Sequence, residues 1–157
     1  MAPRTVKPKV TIMPFKIRVK SSEVAVRNAL HSVRKKLTPL GLDGNEMGTI
    51  ELVLAEALNN IVQHAYPAER ARGPIHILGK HKQDGLHVRI KDKGEMMPGG
   101  QPPIGMEPAT DVEVDDLPEG GFGWFLIHDL AKDVQYKRVG EENCLDLRLA
   151  VAVEMRA

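Results

Sequence analysis

A polar triplet with helical spacing stands in the stretch ELVLAEALNNIVQHAYP, residues 51–67. Glu56, Asn60 and His64 are each four residues apart, so on a continuous helix they lie one turn apart, roughly opposite the apolar side. Their side chains offer a proton acceptor, a neutral oxygen of the kind that hard metal ions bind, and an imidazole. For the triplet taken alone, a solvated helix face with a Glu-to-Asn hydrogen bond is the favoured explanation, so the triplet by itself assigns no function.

Two glycine motifs follow the triplet along the chain. Asp92 ends the strand-like stretch VRIKD and is followed two residues later by Gly94, whereas Gly121 and Gly123 open a helical pattern. Either motif by itself is weak evidence, because Asp-x-Gly can be a simple turn and Gly-x-Gly is common. Their order and spacing relative to the triplet are more specific.

A long segment separates the two glycine motifs. From Glu95 to Gly120 it is rich in Pro and Gly, contains seven acidic residues, and has neither Lys nor Arg. Structureless loops of this length inside a domain are uncommon, and they are usually lids, binding loops or disordered linkers.

The elements that must position these motifs can be predicted from periodicity, caps and turns. Asp43 with Glu46 makes a capping-box-like start for the helix that carries the triplet, and Pro67 ends it. Asp84-Gly85 is a hairpin signal. The predicted order is strand 14–20, helix 22–37, helix 43–66, strands 74–81 and 86–92, a loop, a helix from 121, and strands 134–139 and 144–153, with a turn from Gly140 to Asn143.

Composition limits the class of protein. The chain has 157 residues, 42% of them hydrophobic, which suits one domain at 14–153 behind a flexible tail at 1–13. It has 22 basic and 21 acidic residues and no basic stripe interleaved with aromatics, so nucleic acid is a poor candidate partner. No apolar run of signal-peptide or membrane-spanning length is present, so we expect a cytoplasmic protein without membrane contact.

Other chemistry-bearing residues are assigned to structure. The single cysteine, Cys144, cannot form an internal disulfide and lies in an alternating stretch, so we predict a buried or half-buried strand residue. His76, His81 and His87 lie on the predicted hairpin without a convincing ligand cluster, which argues against a zinc site.

The stretches EALNNIVQHAYP, VRIKDKG and GGFGWFLIHDLAKDVQY resemble the N box and the two glycine boxes of the GHKL ATPase superfamily. Over about residues 14 to 150 the chain is similar to the small anti-sigma factor serine kinases of the RsbW and SpoIIAB type. The resemblance implies an α+β fold of the Bergerat type: a two-layer sandwich with a mixed, mostly antiparallel sheet, helices on one face, and a long ATP lid at 95–120.

The resemblance also implies a site for ATP and Mg²⁺. In that family Glu56 would be the general base, Asn60 would hold Mg²⁺ together with the ATP phosphates, and Asp92 would accept a hydrogen bond from the adenine amine. Gly94 would let the backbone pass close to the base. His64 matches the N box histidine, and either contact with phosphate or packing under the loop is compatible with that match.

The second glycine box would bind phosphate, with Gly121 and Gly123 presenting backbone N–H groups at a helix start. The chain departs from many relatives in two places. Glu119-Gly120 stands where relatives carry an arginine or lysine just before the second glycine box, which puts lid closure and the transfer rate in question. Asp146 stands where relatives often place a threonine near the adenine.

The implied function is that of an ATP-dependent serine/threonine protein kinase acting as an anti-sigma factor. It would phosphorylate a small anti-anti-sigma (STAS) protein, sequester a sigma factor, and form a homodimer. The alternative is a nucleotide-gated protein-binding regulator with the same fold and no kinase activity. A free-standing ATPase of the repair or chaperone kind is less favoured, because such proteins couple the pocket to large additional domains.

Overall fold

The computed structural model describes residues 10–66, 73–97 and 121–154. The predicted tail lies outside the described residues up to residue 9, and the predicted lid lies outside them from residue 98 to 120. Residues 10–14 and 95–97 are described and belong to no helix or strand.

The predicted order of helices and strands is confirmed. Thr38–Leu40 forms a short 3₁₀ turn between the first two helices. No helix in the described ranges is both long enough and apolar enough to cross a bilayer. The strands and α-helices are β1 (Phe15–Lys20), α1 (Glu23–Leu37), α2 (Gly44–Asn60), β2 (Pro74–Lys82), β3 (Gly85–Asp92), α3 (Gly121–Leu130), β4 (Lys132–Val139) and β5 (Glu142–Leu149).

The five strands form one sheet in the order β1-β2-β3-β5-β4. Each pair of neighbouring described strands is antiparallel, where the sequence analysis expected a mixed sheet. At the β2–β3 hairpin, Gly85 has a φ of 128°, and a Cβ there would come 2.2 Å from the carbonyl oxygen of Leu149. Only glycine fits this turn.

Side-chain caps set where α1 and α2 begin. The Ser22 hydroxyl accepts a hydrogen bond from the Ala25 N–H at 3.1 Å. The predicted capping box of α2 is present: Asp43 accepts from the Glu46 N–H at 2.8 Å, and the Glu46 carboxylate accepts from the Asp43 N–H at 3.4 Å. A cap of this kind stabilises a helix by about 1 kcal/mol.

The hydrophobic core lies between the helices and one face of the sheet. Side chains alternate across each strand, so one set of positions faces the helices and the other faces away from them. Cys144, a free and buried thiol on β5, is the strand residue that was predicted. Fully buried members of the core include Leu37, Ile50, Leu54, Leu58, Ile75, Ile77, Leu86, Ile90, Ile127 and Leu149. Each such side chain stabilises the fold by about 1.5–3 kcal/mol relative to exposure.

Candidate functional site

The helix that carries the polar triplet changes its hydrogen-bonding pattern in the middle of the motif. The sequence predicts one uninterrupted helix up to Pro67. In the structure α2 ends at Asn60 and is followed by a π-helical turn, Ile61–Ala65. The Tyr66 N–H closes that turn on the Ile61 carbonyl at 3.3 Å. π-helical turns are rare, and those that occur are often found at functional sites.

The three residues of the triplet do not share one environment. Glu56 is half-buried, Asn60 is 9% exposed, and His64 is solvent-exposed. The expectation of a polar ridge opposite the core is therefore wrong for Asn60, because α3 packs against α2 there. His64 comes after the change of helical period, so it does not continue the line of the other two.

Gly123 brings the second glycine motif onto Glu56 and Asn60. A Cβ built at Gly123 would lie 2.5 Å from Glu56 Oε2 and 3.9 Å from Asn60 Nδ2. The absence of a side chain at position 123 is what lets α3 approach this closely. Two motifs that were predicted to belong to one site are thus in contact.

A corner is formed where α2 meets the start of α3. The helix begins at Gly121, as predicted, and the N–H groups of its first turn have no partner within the helix. The helix dipole places partial positive charge there. Asn60 Nδ2 is buried and has no hydrogen-bond partner among the described residues. Such a buried, unpaired donor costs about 1–3 kcal/mol unless a ligand accepts from it.

The corner fits a phosphate group with a bound Mg²⁺. A phosphate oxygen can accept from Asn60 Nδ2, and rotation of the carboxamide presents its oxygen instead, which is a ligand that Mg²⁺ prefers. Within the described residues no group of three or more His, Cys, Asp and Glu side chains could hold a metal ion. A Mg²⁺ ion at Asn60 would therefore need further oxygen ligands from the bound nucleotide and water.

Asp92 lies buried at the end of β3, on the face that carries the helices. Its Oδ1 accepts hydrogen bonds from the Gly94 N–H at 2.9 Å and from Asn143 Nδ2 at 2.8 Å. Burial raises the pKa of Asp92 above its ordinary value, and these two hydrogen bonds oppose the rise. The carboxylate is held in one orientation.

Gly94 joins the end of β3 to the π turn. A Cβ at Gly94 would come 2.4 Å from the carbonyl oxygen of Ala65, and the Glu95 N–H donates to that oxygen at 2.8 Å. Tyr66 adds a second connection, because its hydroxyl accepts from the Lys93 N–H at 2.7 Å. The first glycine motif is thereby anchored on the end of the helix that carries Glu56 and Asn60.

Asn143 is a residue of this site that the sequence analysis missed. It lies directly opposite Asp92 in the β3–β5 register and is buried. Besides Asp92, its Nδ2 lies within hydrogen-bond distance of the carbonyl oxygens of Gly94 (3.2 Å) and Glu95 (3.1 Å). The prediction put residue 143 in a turn, whereas β5 begins at Glu142. A predicted last strand that began before residue 144 would have included Asn143 and allowed it to pair with Asp92.

The oxygen of the Asn143 side chain extends the same network. It accepts from the Tyr136 hydroxyl at 3.0 Å and from Arg138 Nη1 at 2.9 Å. The Tyr136 hydroxyl in turn accepts from the Met97 N–H at 3.0 Å. Asn143 therefore connects the carboxylate of Asp92 to the backbone that follows it as far as Met97.

Asp146, the second departure from the relatives' pattern, lies on β5. It lies three residues after Asn143 on β5, so its side chain points to the opposite face of the sheet. There it forms a two-pronged ion pair with Arg89, with Nε–Oδ1 and Nη2–Oδ2 distances of 2.6 and 3.0 Å. Asp146 therefore lies on the face away from Asp92, and Asn143 is the β5 residue beside Asp92.

Known proteins with similar sequences include a domain family and two serine-protein kinases. The model of the histidine kinase-like ATPase domain matches residues 19–149. The serine-protein kinase RsbW of Bacillus licheniformis is 27% identical over 111 residues, which cover 70% of this chain and 67% of the relative. RsbW of Staphylococcus epidermidis is 31% identical over 102 residues, 64% of each chain. The chain thus spans about two thirds of the length of these relatives.

A solved structure shows the same fold. The structure of the RsbU and RsbW domains of Rv1364c from Mycobacterium tuberculosis superposes with a TM-score of 0.61 at 16% sequence identity. The match covers 88% of this chain and 32% of that chain. At this identity the likeness concerns the fold, which is the α+β arrangement that the resemblance implied.

Proposed function

The chain belongs to the histidine kinase-like ATPase domain family, and from this premise we propose that it is an ATP-dependent serine/threonine protein kinase. The observation that carries the proposal is the convergence of Glu56 and Asn60 on Gly123, at the first turn of α3. A proton acceptor, a metal-binding oxygen and a phosphate-binding helix start then occupy one corner. The similarity to proteins named RsbW serine-protein kinase supports the same activity.

Glu56 is the proposed general base. Its carboxylate would take the proton of a serine or threonine hydroxyl while that oxygen attacks the γ-phosphorus of ATP. The bond between the γ-phosphorus and the bridging oxygen breaks, and ADP leaves with the bonding electron pair. Half-burial of Glu56 keeps it accessible to a protein substrate that enters from solvent.

Asn60 and α3 would bind the triphosphate. Asn60 would hold Mg²⁺, which neutralises phosphate charge when bound. The backbone N–H groups at Gly121 and Gly123 would donate to phosphate oxygens. Since residues 95–120 contain no Lys or Arg, these groups carry a larger share of the charge stabilisation than a basic lid would leave them. For His64, contact with phosphate and packing under the loop remain the two alternatives.

Asp92 would recognise the base. An ionised carboxylate accepts a hydrogen bond, and the exocyclic amine of adenine donates one, whereas guanine presents a carbonyl oxygen at the corresponding ring position. The hydrogen bonds from Gly94 and Asn143 hold the carboxylate for this contact. The close packing of Gly94 on Ala65 keeps the backbone beside Asp92 in place.

The proposed partners follow from the family resemblance. The kinase would phosphorylate a small anti-anti-sigma (STAS) protein and, as an anti-sigma factor, would sequester a sigma factor in the cytoplasm. It would act as a homodimer and without direct contact to nucleic acid. These assignments rest on kinship with RsbW proteins of which the chain covers about two thirds.

A second candidate is a nucleotide-gated binding module without transfer activity. The acidic segment from Glu95 to Gly120, which has no cation to offer the γ-phosphate, favours it. In this case ATP and ADP would change partner affinity, and no phosphate would move.

One experiment separates the two candidates. The chain is incubated with γ-labelled ATP, Mg²⁺ and an anti-anti-sigma protein from the same genome, beside a variant of that protein in which the acceptor serine is alanine. Label that appears on the wild-type partner and not on the alanine variant supports the kinase. Partner binding that depends on nucleotide, with no label transferred, supports the binding module.

A further inference from the structure

The face of the sheet that points away from the helices carries an uneven distribution of charge. Its β1–β2 half bears five exposed cations, which we call the basic patch: Lys16, Arg18, Lys20, Lys80 and Lys82. The register places them on one face, because Lys16 pairs with Leu78 and Lys80 pairs with His87. The patch is assembled from alternate residues of two strands.

The other half of this face is balanced only in part. Three of its cations have carboxylate partners, whereas two lysines of β4, Lys132 and Lys137, have none within ion-pair distance among the described residues. The pairs are Arg89–Asp146 at 2.6 Å, Lys91–Glu142 at 3.5 Å and Arg148–Asp133 at 2.8 Å.

The basic patch has no such compensation. In the described part of the chain, no carboxylate lies within ion-pair distance of its five cations. His76 pairs with Arg18 across the strands. Its pKa is lowered first by burial and then by the charges of Lys16 and Arg18. A concentrated positive surface of this kind attracts acidic partners and speeds their association.

We propose that the basic patch is a docking surface for an acidic protein segment. Lys16, Arg18 and Lys20 are alternate residues of the edge strand β1. Their side chains are therefore spaced about 6–7 Å apart along the strand. An extended acidic segment presents its alternate carboxylates at the same repeat. Opposite charges arranged in this way fix register and partner choice more than they add affinity.

Other occupants fit this surface less well. A second copy of the chain, docked through the same face, would place like charges against each other. Single-stranded nucleic acid is bound by stacking on aromatic rings, and Phe15, the one Phe, Tyr or Trp on β1 and β2, is buried on the helix side. Anionic lipid attracts a basic surface, but stable binding to a membrane also takes apolar side chains that insert, and Leu78 on this face is half-buried.

The test compares two variants of the full chain with the same change in net charge. One replaces three patch residues, Lys16→Gln, Arg18→Gln and Lys80→Gln. The control replaces three exposed residues of α1, Arg27→Gln, Lys35→Gln and Lys36→Gln. The probe is a fluorescently labelled glutamate-rich peptide, and fluorescence anisotropy is measured at low and at physiological salt. We expect the patch variant to bind about tenfold more weakly than the control variant, given the energies of exposed ion pairs.

Several outcomes would overturn the proposal. These are equal losses in the two variants, no peptide binding by the wild type, or tighter patch-dependent binding of a single-stranded oligonucleotide or of phosphatidylserine vesicles. A charge-conserving variant, Lys16→Arg with Arg18→Lys and Lys80→Arg, should retain binding, so misfolding is distinguished from loss of charge. The patch lies across the sheet from Asp92, so ATP affinity should be unchanged, and failure of this proposal leaves the kinase assignment untouched.

Discussion

The carboxylate of Glu56 occupies the space that a side chain at Gly123 would need. A Cβ built at Gly123 would lie 2.5 Å from Glu56 Oε2, well inside van der Waals contact. Glycine at this position therefore does more than open a helix start to phosphate. It leaves room for the proposed base beside the first turn of α3.

Gly123→Ala should disturb the base while leaving the fold intact. The atom that would clash is the end of a flexible side chain, so the Glu56 carboxylate can move aside at little cost. A displacement of about 1 Å can reduce a rate by about 10²-fold. We expect phosphoryl transfer to fall by that order, measured by single-turnover kinetics.

Gly48→Ala is the matched control. Gly48 lies on the exposed side of α2, and nothing lies within 4 Å of a Cβ there. This change should leave transfer unchanged and stabilise the helix by up to about 1 kcal/mol. Normal transfer by Gly123→Ala would show that the carboxylate is not needed where the structure places it.

Gly94→Ala should be far more damaging to stability than Gly123→Ala. The Cβ at position 94 would come 2.4 Å from the Ala65 carbonyl oxygen, and backbone cannot move aside as a side chain can. Overpacking of this kind costs about 1–3 kcal/mol. Denaturant unfolding should show the loss, together with weaker ATP binding. Gly44→Ala, where nothing lies within 4 Å, should show neither effect.

Asn143→Ala should loosen the site at Asp92. The change removes a buried side chain that donates to Asp92 and accepts from Tyr136 and Arg138. Leaving such groups unpaired costs about 1–3 kcal/mol. Urea unfolding should show this loss, and ATP affinity should fall. Asn28→Ala, at an exposed position on α1, should leave ATP affinity unchanged and should not lower stability, since alanine favours a helix by up to about 0.7 kcal/mol. Wild-type stability in Asn143→Ala would mean that the network contributes little.

Asp92→Asn should separate stability from nucleotide binding. Burial raises the pKa of Asp92, so its ionised form destabilises the folded state at neutral pH. We expect the variant to be at least as stable as the wild type at pH 7 and to bind ATP more weakly, measured by thermal unfolding and by calorimetry.

The pH dependence of that comparison has a definite sign. As the pH falls through the raised pKa of folded Asp92, the wild type takes up a proton in the folded state before the unfolded state does. The wild type is thereby stabilised relative to Asp92→Asn. The stability advantage of the variant should shrink as the pH falls toward the ordinary Asp pKa of about 3.9. An advantage that grows on acidification would contradict the assigned shift.

Local signals explain what the sequence predicted correctly. The capping box of Asp43 and Glu46 and the hairpin at Asp84-Gly85 depend on residues that are neighbours in the chain. Elements set by such signals bring Asp92 and Gly94 to the end of a strand, where they were expected. Gly123 meets Glu56 because the order of elements leaves α3 beside α2.

Features that depend on tertiary contacts were not predicted. In the π turn after Asn60, the Ala65 carbonyl oxygen accepts a hydrogen bond from the Glu95 N–H. Nothing in the sequence of the helix itself indicates this contact. Asn143 follows Gly140 and two glutamates and so looks like a turn residue, although strand register puts it opposite Asp92. The basic patch was not predicted, because its cations alternate with core residues along β1 and β2 and therefore form no continuous basic run in the sequence.

The most direct test of the account is a paired measurement on Glu56→Gln. Its ATP affinity, by calorimetry, and its single-turnover phosphoryl transfer to the anti-anti-sigma partner are compared with those of the wild type and of Glu51→Gln. Glu51 lies on the same helix but pairs with Arg34 on an exposed surface. We expect near-normal ATP affinity for Glu56→Gln with transfer reduced by about 10²–10⁴-fold, and normal transfer for Glu51→Gln. Transfer at the wild-type rate by Glu56→Gln would contradict the assignment of the base.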